Sequence, residues 1–215
     1  MAFLFGLFSC GQNSNKQQRQ TETAKSIAVA KEAWTLYFKQ DTIFHIKRLL
    51  TSDTSLTLLT YDVNTSEPEA AAQTFINSKT VSNENEAIAI KTQNTNSNWT
   101  PFKTTPTLFV QIEPSAFKNE MEALNKRQDV EQKIEAALKS KQLGEWTAGD
   151  LGPGGANMLF EVSNTNEAIL VILEVLSKAA LDKKTIIGRR INIAADDWFY
   201  EVVYPTTFNG VFLTM

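Results

Sequence analysis

The sequence predicts an α+β protein, and three observations predict it. From Thr107 onward the periodicities run strand, helix, strand, strand, helix, strand. The longest apolar stretch, Ala168–Leu181, carries Glu174, Ser177 and Lys178 at helical spacing. It therefore reads as a buried helix and not as a membrane span, which needs about 18–20 apolar residues in a row. Short Thr/Leu and Ile/Val runs of strand length lie between turn clusters in both halves. Composition agrees. Of 215 residues, 42% are hydrophobic, 10% aromatic and 21% charged, which is globular and not disordered composition. The net charge of −3 gives no basic footprint for nucleic acid. One Cys and one His exclude a disulfide framework, a Cys-based zinc cage and multi-His metal sites, so neither metal nor cofactor is expected.

In the first half, Ile27, Ala30, Trp34 and Phe38 fall on one helical face, predicting a helix from Thr23 to about Asp41. Thr42–Leu50 fits neither period cleanly, and Thr51–Thr54 is a turn cluster. Ser55–Asp62 is a strand. Ser66, Pro68 and Glu69 form a helix start, with Ser66 as cap and Glu69 completing a capping box, and the helix runs to about Lys79. Asn83–Asn85 is a turn, and Glu86–Lys91 alternates Ala with Ile like a strand. The Asn-rich segment Thr92–Thr105 is the domain-boundary candidate, with Trp99 and Phe102 packing back onto a neighbouring unit.

In the second half, Thr107–Glu113 is a strand ended by Pro114. Ser115–Gln128 is helical through Phe117, Met121 and Leu124, after which the stripe changes phase and Asp129, with Gln132, caps a new helix. Gly144 stops that helix, Glu145–Ala148 is a short strand, Gly149–Gly155 a loop, and Ala156–Val162 a strand. Asn164 or Thr165 caps the buried helix, and Lys183-Lys184 suit its dipole. Ile186–Ala194 and Trp198–Tyr204 are strands joined around Asp196-Asp197, and Asn209-Gly210 signals a last hairpin turn. This order is the ferredoxin-like split pattern, an antiparallel sheet covered on one face by two helices. The expected organisation is thus 1–22 as a leader and tether, 23–93 as a smaller α/β unit, and 107–215 as a ferredoxin-like α+β unit.

The first residues carry an address. Ala2–Phe8 is apolar, Leu7-Phe8-Ser9 precedes Cys10, and a Gln/Asn-rich tether follows from Gly11 to Thr23. This arrangement resembles the lipoprotein signal of bacteria, with Leu7–Cys10 as the lipobox. The resemblance implies cleavage before Cys10, acylation of Cys10 (palmitate among the chains) and anchoring to a membrane in the cell envelope. The same residues also allow a cytoplasmic protein whose apolar N-terminus holds an incidental Cys. From Leu143-Gly144-Glu145 through the glycine loop, the C-terminal half is similar to uncharacterised bacterial domains. That resemblance implies a fold and no activity.

Few constellations could carry chemistry. The loop with Gly152, Gly154 and Gly155 could bring backbone N–H groups to an anion. It lacks the Lys-Ser/Thr ending and the G-x-G-x-x-G spacing of phosphate loops, and it runs into a strand, so a hairpin loop is the favoured reading. Trp198, Tyr200, Val202 and Tyr204 share one strand face, as core or, if exposed, as a protein-binding patch. Arg189 and Arg190 alternate, so only one can face a given partner. Asp196-Asp197 read as turn chemistry. His45 has no nucleophile motif beside it. The expected function is a membrane-anchored, non-catalytic protein that binds another protein, for example as an immunity or inhibitor protein. The alternatives are an enzyme built around His45, Asp196 and Asp197, or a cytosolic partner-binding domain.

Overall fold

The computed structural model describes residues 30–67, 70–102, 104–193 and 198–214. Cys10, Asp196 and Asp197 lie outside them. Among the described residues the fold is mixed, with three α-helices and eleven strands in two antiparallel sheets. Lys31–Met215 forms one compact unit.

Strands β1 (Lys31–Gln40), β2 (Ile43–Thr51), β3 (Leu56–Asn64) and β4 (Ala70–Val81) form a continuous meander. The helix expected through Trp34 and Phe38 is therefore a strand. Its Trp, Thr, Leu, Tyr and Phe suit a pleated, half-buried surface. Only Asp41-Thr42 separates it from β2, with Asp41 in the left-handed region at φ 54°. That tight turn sets pairing from Gln40↔Ile43 to Lys31↔Thr51.

The helix expected from Ser66 is also corrected. Ala72–Val81 pairs with β3, and the Ser66 N–H donates to Asn64 Oδ1 at 2.9 Å. Long-range pairing outweighs a good local start signal. The converse error concerns Glu86–Lys91, which lies within helix α1 (Glu84–Thr95). Asn83 Oδ1 accepts the Glu86 N–H at 3.0 Å as the N-cap, and the Glu86 carboxylate reaches back to accept the Ser82 N–H at 2.8 Å, one residue before the cap. Lys79 and Ser82 hold the Glu86 carboxyl down at about 2. Ala87, Ile90 and Asn94 share the buried face of α1, and Ala87 and Ile90 pack on Leu49, Leu58 and Val81. The segment 92–105 carries the end of α1, the short strand β5 (Thr100–Pro101) beside β1, and the start of β6 (Thr104–Ile112).

The second sheet follows β6 with α2 (Glu120–Ser140), β7 (Gly144–Gly152), β8 (Gly155–Val162), α3 (Thr165–Lys178), β9 (Thr185–Asn192) and β10 (Trp198–Tyr204). Its order is β10-β9-β6-β8-β7, and every neighbouring pair is antiparallel. Helices α2 and α3 pack against each other and onto this sheet, over Leu108, Val110 and Ile112 of β6, all fully buried. Asn164 caps α3 as expected, accepting the Glu167 N–H.

Helix α2 does not break at Asp129, which instead pairs with Lys133 at 2.6 Å one turn on. Its buried stripe is Ala123, Arg127, Val130, Ile134 and Leu138. Arg127 occupies one apolar position of that stripe, and this is why the hydrophobic period looked broken. Gln142, at φ 55°, and not Gly144, takes the left-handed position after α2; Gly144 opens β7.

Asn209-Gly210 does not fold a hairpin onto β10. Strand β11 (Gly210–Leu213) crosses to the first sheet and pairs with β4, giving the order β11-β4-β3-β2-β1-β5. The first sheet therefore touches both faces of β10. Phe199 stacks on Phe44 of β2 at 4.5 Å, while Tyr200 meets Phe212 of β11 edge-on at 5.9 Å. The β10 edge that faces away from β9 is served by a side chain. Gln73 of β4 accepts the Val202 N–H at 3.0 Å and donates to the Val202 carbonyl at 3.2 Å. A buried edge strand would otherwise leave those groups unpaired.

Candidate binding site

The glycine segment is not an open loop. Strand β7 runs to Gly152, which pairs with Gly155, leaving Pro153-Gly154 as a two-residue turn. Gly155 takes φ 119°, and a Cβ there would collide with the Ile112 carbonyl. At Gly154 a Cβ would strike the side-chain amide of Gln111. These glycines press the hairpin tip onto β6, and that close approach is their structural purpose.

The tip lies beside the 3-10 turn Pro114–Ala116 and the start of α2, and together they enclose a cleft of about 580 Å³. Pro114 and Phe117 form one wall, Leu151 and Pro153 the other, with Ala123 of α2 and Ala156 between them. Leu151 is 39% exposed, much for a leucine against a protein wall. Lys118 and Glu120 bring charge to the cleft. The N-terminus of α2 spends its donors on its own cap. Asn119 Oδ1 accepts the Glu122 N–H at 2.9 Å, and Glu122 Oε2 accepts the Lys118 N–H at 2.8 Å. The cleft suits an apolar group with little need for hydrogen bonds.

A buried polar chain fixes the hairpin wall. Gln111 Nε2 donates to Asn157 Oδ1 and to the Leu213 carbonyl, both at 2.9 Å, and Asn157 Nδ2 donates to Asp150 Oδ1 at 2.8 Å. These bonds cross from β11 through β6 and β8 to β7.

Of the residues singled out by sequence, Gly152 and Gly155 line the cleft and Gly154 supports its turn. Trp198 and Tyr200 are elsewhere. Trp198 pairs with Asn192 at one end of β9, while Gly155 adjoins Ile112, which pairs with Thr185 at the other. Strand β9 has eight residues, about 23 Å of strand. The two residues also differ in role. Tyr200 is core, 5% exposed against Phe109 and Phe212, and burial pushes its phenol up to about 12. Trp198 is 41% exposed, with the Arg190 guanidinium 4.4 Å over its ring. A small pocket of about 130 Å³ adjoins Trp198 and Tyr200 beside Thr65, Ala71 and Thr214. Arg189 and Arg190 do face different partners, Arg190 toward Trp198 and Arg189 into the interior.

His45 gains a partner that sequence reading missed. Its Nδ1 lies 2.8 Å from Asp62 Oδ1, and its ring stacks on Phe38 at 6.1 Å. The pairing follows from β2–β3 register, which sets His45 opposite Asp62. Among the described residues no three His, Cys, Asp or Glu side chains are placed to hold a metal ion. No helix among them is long and apolar enough to cross a membrane. No family model, curated protein or solved structure matches the chain.

Proposed function

We propose that this chain is a non-catalytic binding protein, tethered at the cell envelope through a lipidated Cys10. Its hairpin cleft takes an apolar anchor from a protein partner, as an immunity or inhibitor protein would. The observation that carries the reading is the 580 Å³ cleft, walled by Phe117, Leu151 and Pro153, with Leu151 left 39% exposed. Fully burying an exposed leucine is worth about 1.5–3 kcal/mol, so covering the exposed two fifths of this one adds roughly 1 kcal/mol to a complex. The ferredoxin-like reading of the C-terminal half belongs to the same proposal. The order β9-β6-β8-β7, with α2 and α3 packed together, supports it.

Photo-crosslinking in producing cells tests the cleft. A crosslinking residue at position 151 is expected to form one adduct of discrete mass, and Ala123→Phe, which fills the cleft, is expected to abolish it. The same crosslinker at the exposed Ile88 of α1 serves as control. No adduct at 151, an adduct indifferent to Ala123→Phe, or the same adduct from position 88 overturns the reading.

The anchor rests on the apolar run, Cys10 and the polar tether. Cys10→Ala is expected to move the protein from the detergent phase to the aqueous phase in phase partitioning. Unchanged partitioning rejects the lipid anchor and favours the cytoplasmic alternative.

A further inference from the structure

Four charged side chains from four strands meet between the two sheets: Glu32 of β1, Arg48 of β2, Arg189 of β9 and Glu201 of β10. Arg189 spends its whole guanidinium there. Its Nε donates to Glu201 Oε2 at 2.5 Å, Nη1 to Glu32 Oε2 at 2.6 Å and Nη2 to Thr35 Oγ1 at 3.2 Å. Arg48 is placed less well. It lies 3.6 Å from Glu32 and 3.9 Å from Glu201, and its hydrogen bond goes to the Val203 carbonyl at 3.3 Å. Glu201 is 0% exposed, and its Oε1 has no donor among the described residues. An ionised carboxylate with a bare oxygen in a buried interface is costly.

We propose that this cluster is a proton-operated latch: a proton on Glu201 keeps β10 seated in the first sheet, and its loss as pH rises loosens that seat. The seat can open locally. Among the described residues strand β10 pairs by backbone only with β9, and the first sheet holds its backbone through the side chains of Gln73 and Arg48. The groups facing Glu201 are Glu32 from β1, Arg48 from β2 and Arg189 from β9, while β4 brings the neutral Gln73. Burial pushes the Glu201 carboxyl up to about 8, against the pull of Arg48 and with the help of Glu32. Burial also lowers Arg189 to about 10, which leaves it charged across the working range.

The sign follows from linkage. The seated state holds the proton more tightly than an opened, hydrated state would. Seating is therefore firmest below the ordinary carboxylate range and weakens as pH rises through about 8.

Amide hydrogen exchange on the intact protein, corrected for intrinsic pH dependence, reads this directly. Protection of β10 is expected to fall at least about tenfold between about pH 6 and pH 9, with α2 unchanged. Glu201→Gln, which has no proton to lose, is expected to keep β10 protected and flat over that range. Glu32→Gln removes a facing negative charge and is expected to shift the wild-type fall to lower pH. A flat wild-type profile, an equal fall in α2, a Glu201→Gln slope like wild type, or a Glu32→Gln profile that does not move overturns the latch.

Discussion

Replacing Arg189 with methionine is expected to destabilise the protein by about 3–5 kcal/mol. Arg189 donates to the buried Glu201, to the part-buried Glu32 and to Thr35, joining β9 to β10 and to β1 in one side chain. Methionine removes three donors, two of them charge-assisted, and each such bond contributes about 1.5–3 kcal/mol. Glu201 then stays buried and Glu32 part-buried, with the poorly placed Arg48 the one cation left near them among the described residues. Urea unfolding at fixed pH measures the loss. A second change separates charge from packing. Pairing Arg189→Met with Glu201→Leu is expected to regain only part of the stability, because it removes the Arg189–Glu201 contact whole but leaves Glu32 and Thr35 without their Arg189 donors. A loss under about 1 kcal/mol for Arg189→Met alone would show that Arg48 takes over its bonds.

The same interior shows why one half of this chain is easier to read than the other. Helix α3 announces itself locally. Asn164 caps it, its apolar residues fall on helical spacing, and Lys178 closes the last turn. Strand β8 and the glycine turn are also local, since Pro153-Gly154 needs only its neighbours to form. Strands β1 and β4 are not local. Trp34 and Phe38 are four apart in either structure, and Ser66, Pro68 and Glu69 are a sound helix start. What decides them is pairing with β2 and β3, which no local window contains.

The site divides in the same way. The glycines of the hairpin are visible in the sequence, although their close approach to Gln111 and Ile112 of β6 is not. Phe117 and Ala123, opposite them, lie some thirty residues upstream and join the cleft only because β8 pairs with β6. The Arg189–Glu201 contact is equally hidden, although the alternation of Arg189 and Arg190 shows that they must part. Register is the missing quantity in each case. A shift of one residue on β9 would turn Arg189 toward Trp198 and bring Arg190 to the cluster.

Phe212→Ala is expected to cost about 3–5 kcal/mol, a large share of the roughly 5–15 kcal/mol that holds a domain folded. Phe212 is fully buried and meets Phe109 at 5.1 Å and Tyr200 at 5.9 Å, both edge-on. Gly188 makes room for the ring, since a Cβ there would lie 3.1 Å from it. The ring is the peg of β11, a four-residue strand that among the described residues pairs with β4 alone. Two effects should therefore separate. Global stability falls by the burial and cavity terms, read in urea. Locally, β11 should lose amide protection before β3 does, because the Leu213 carbonyl then holds the second sheet only through Gln111. The Leu213–Gln111 bond continues to Asn157 and Asp150, so the hairpin wall of the cleft should loosen with it. Exchange at β7 rising together with β11, while α3 stays protected, is the expected pattern. If β11 and α3 open together, Phe212 supports the whole core and not the strand alone.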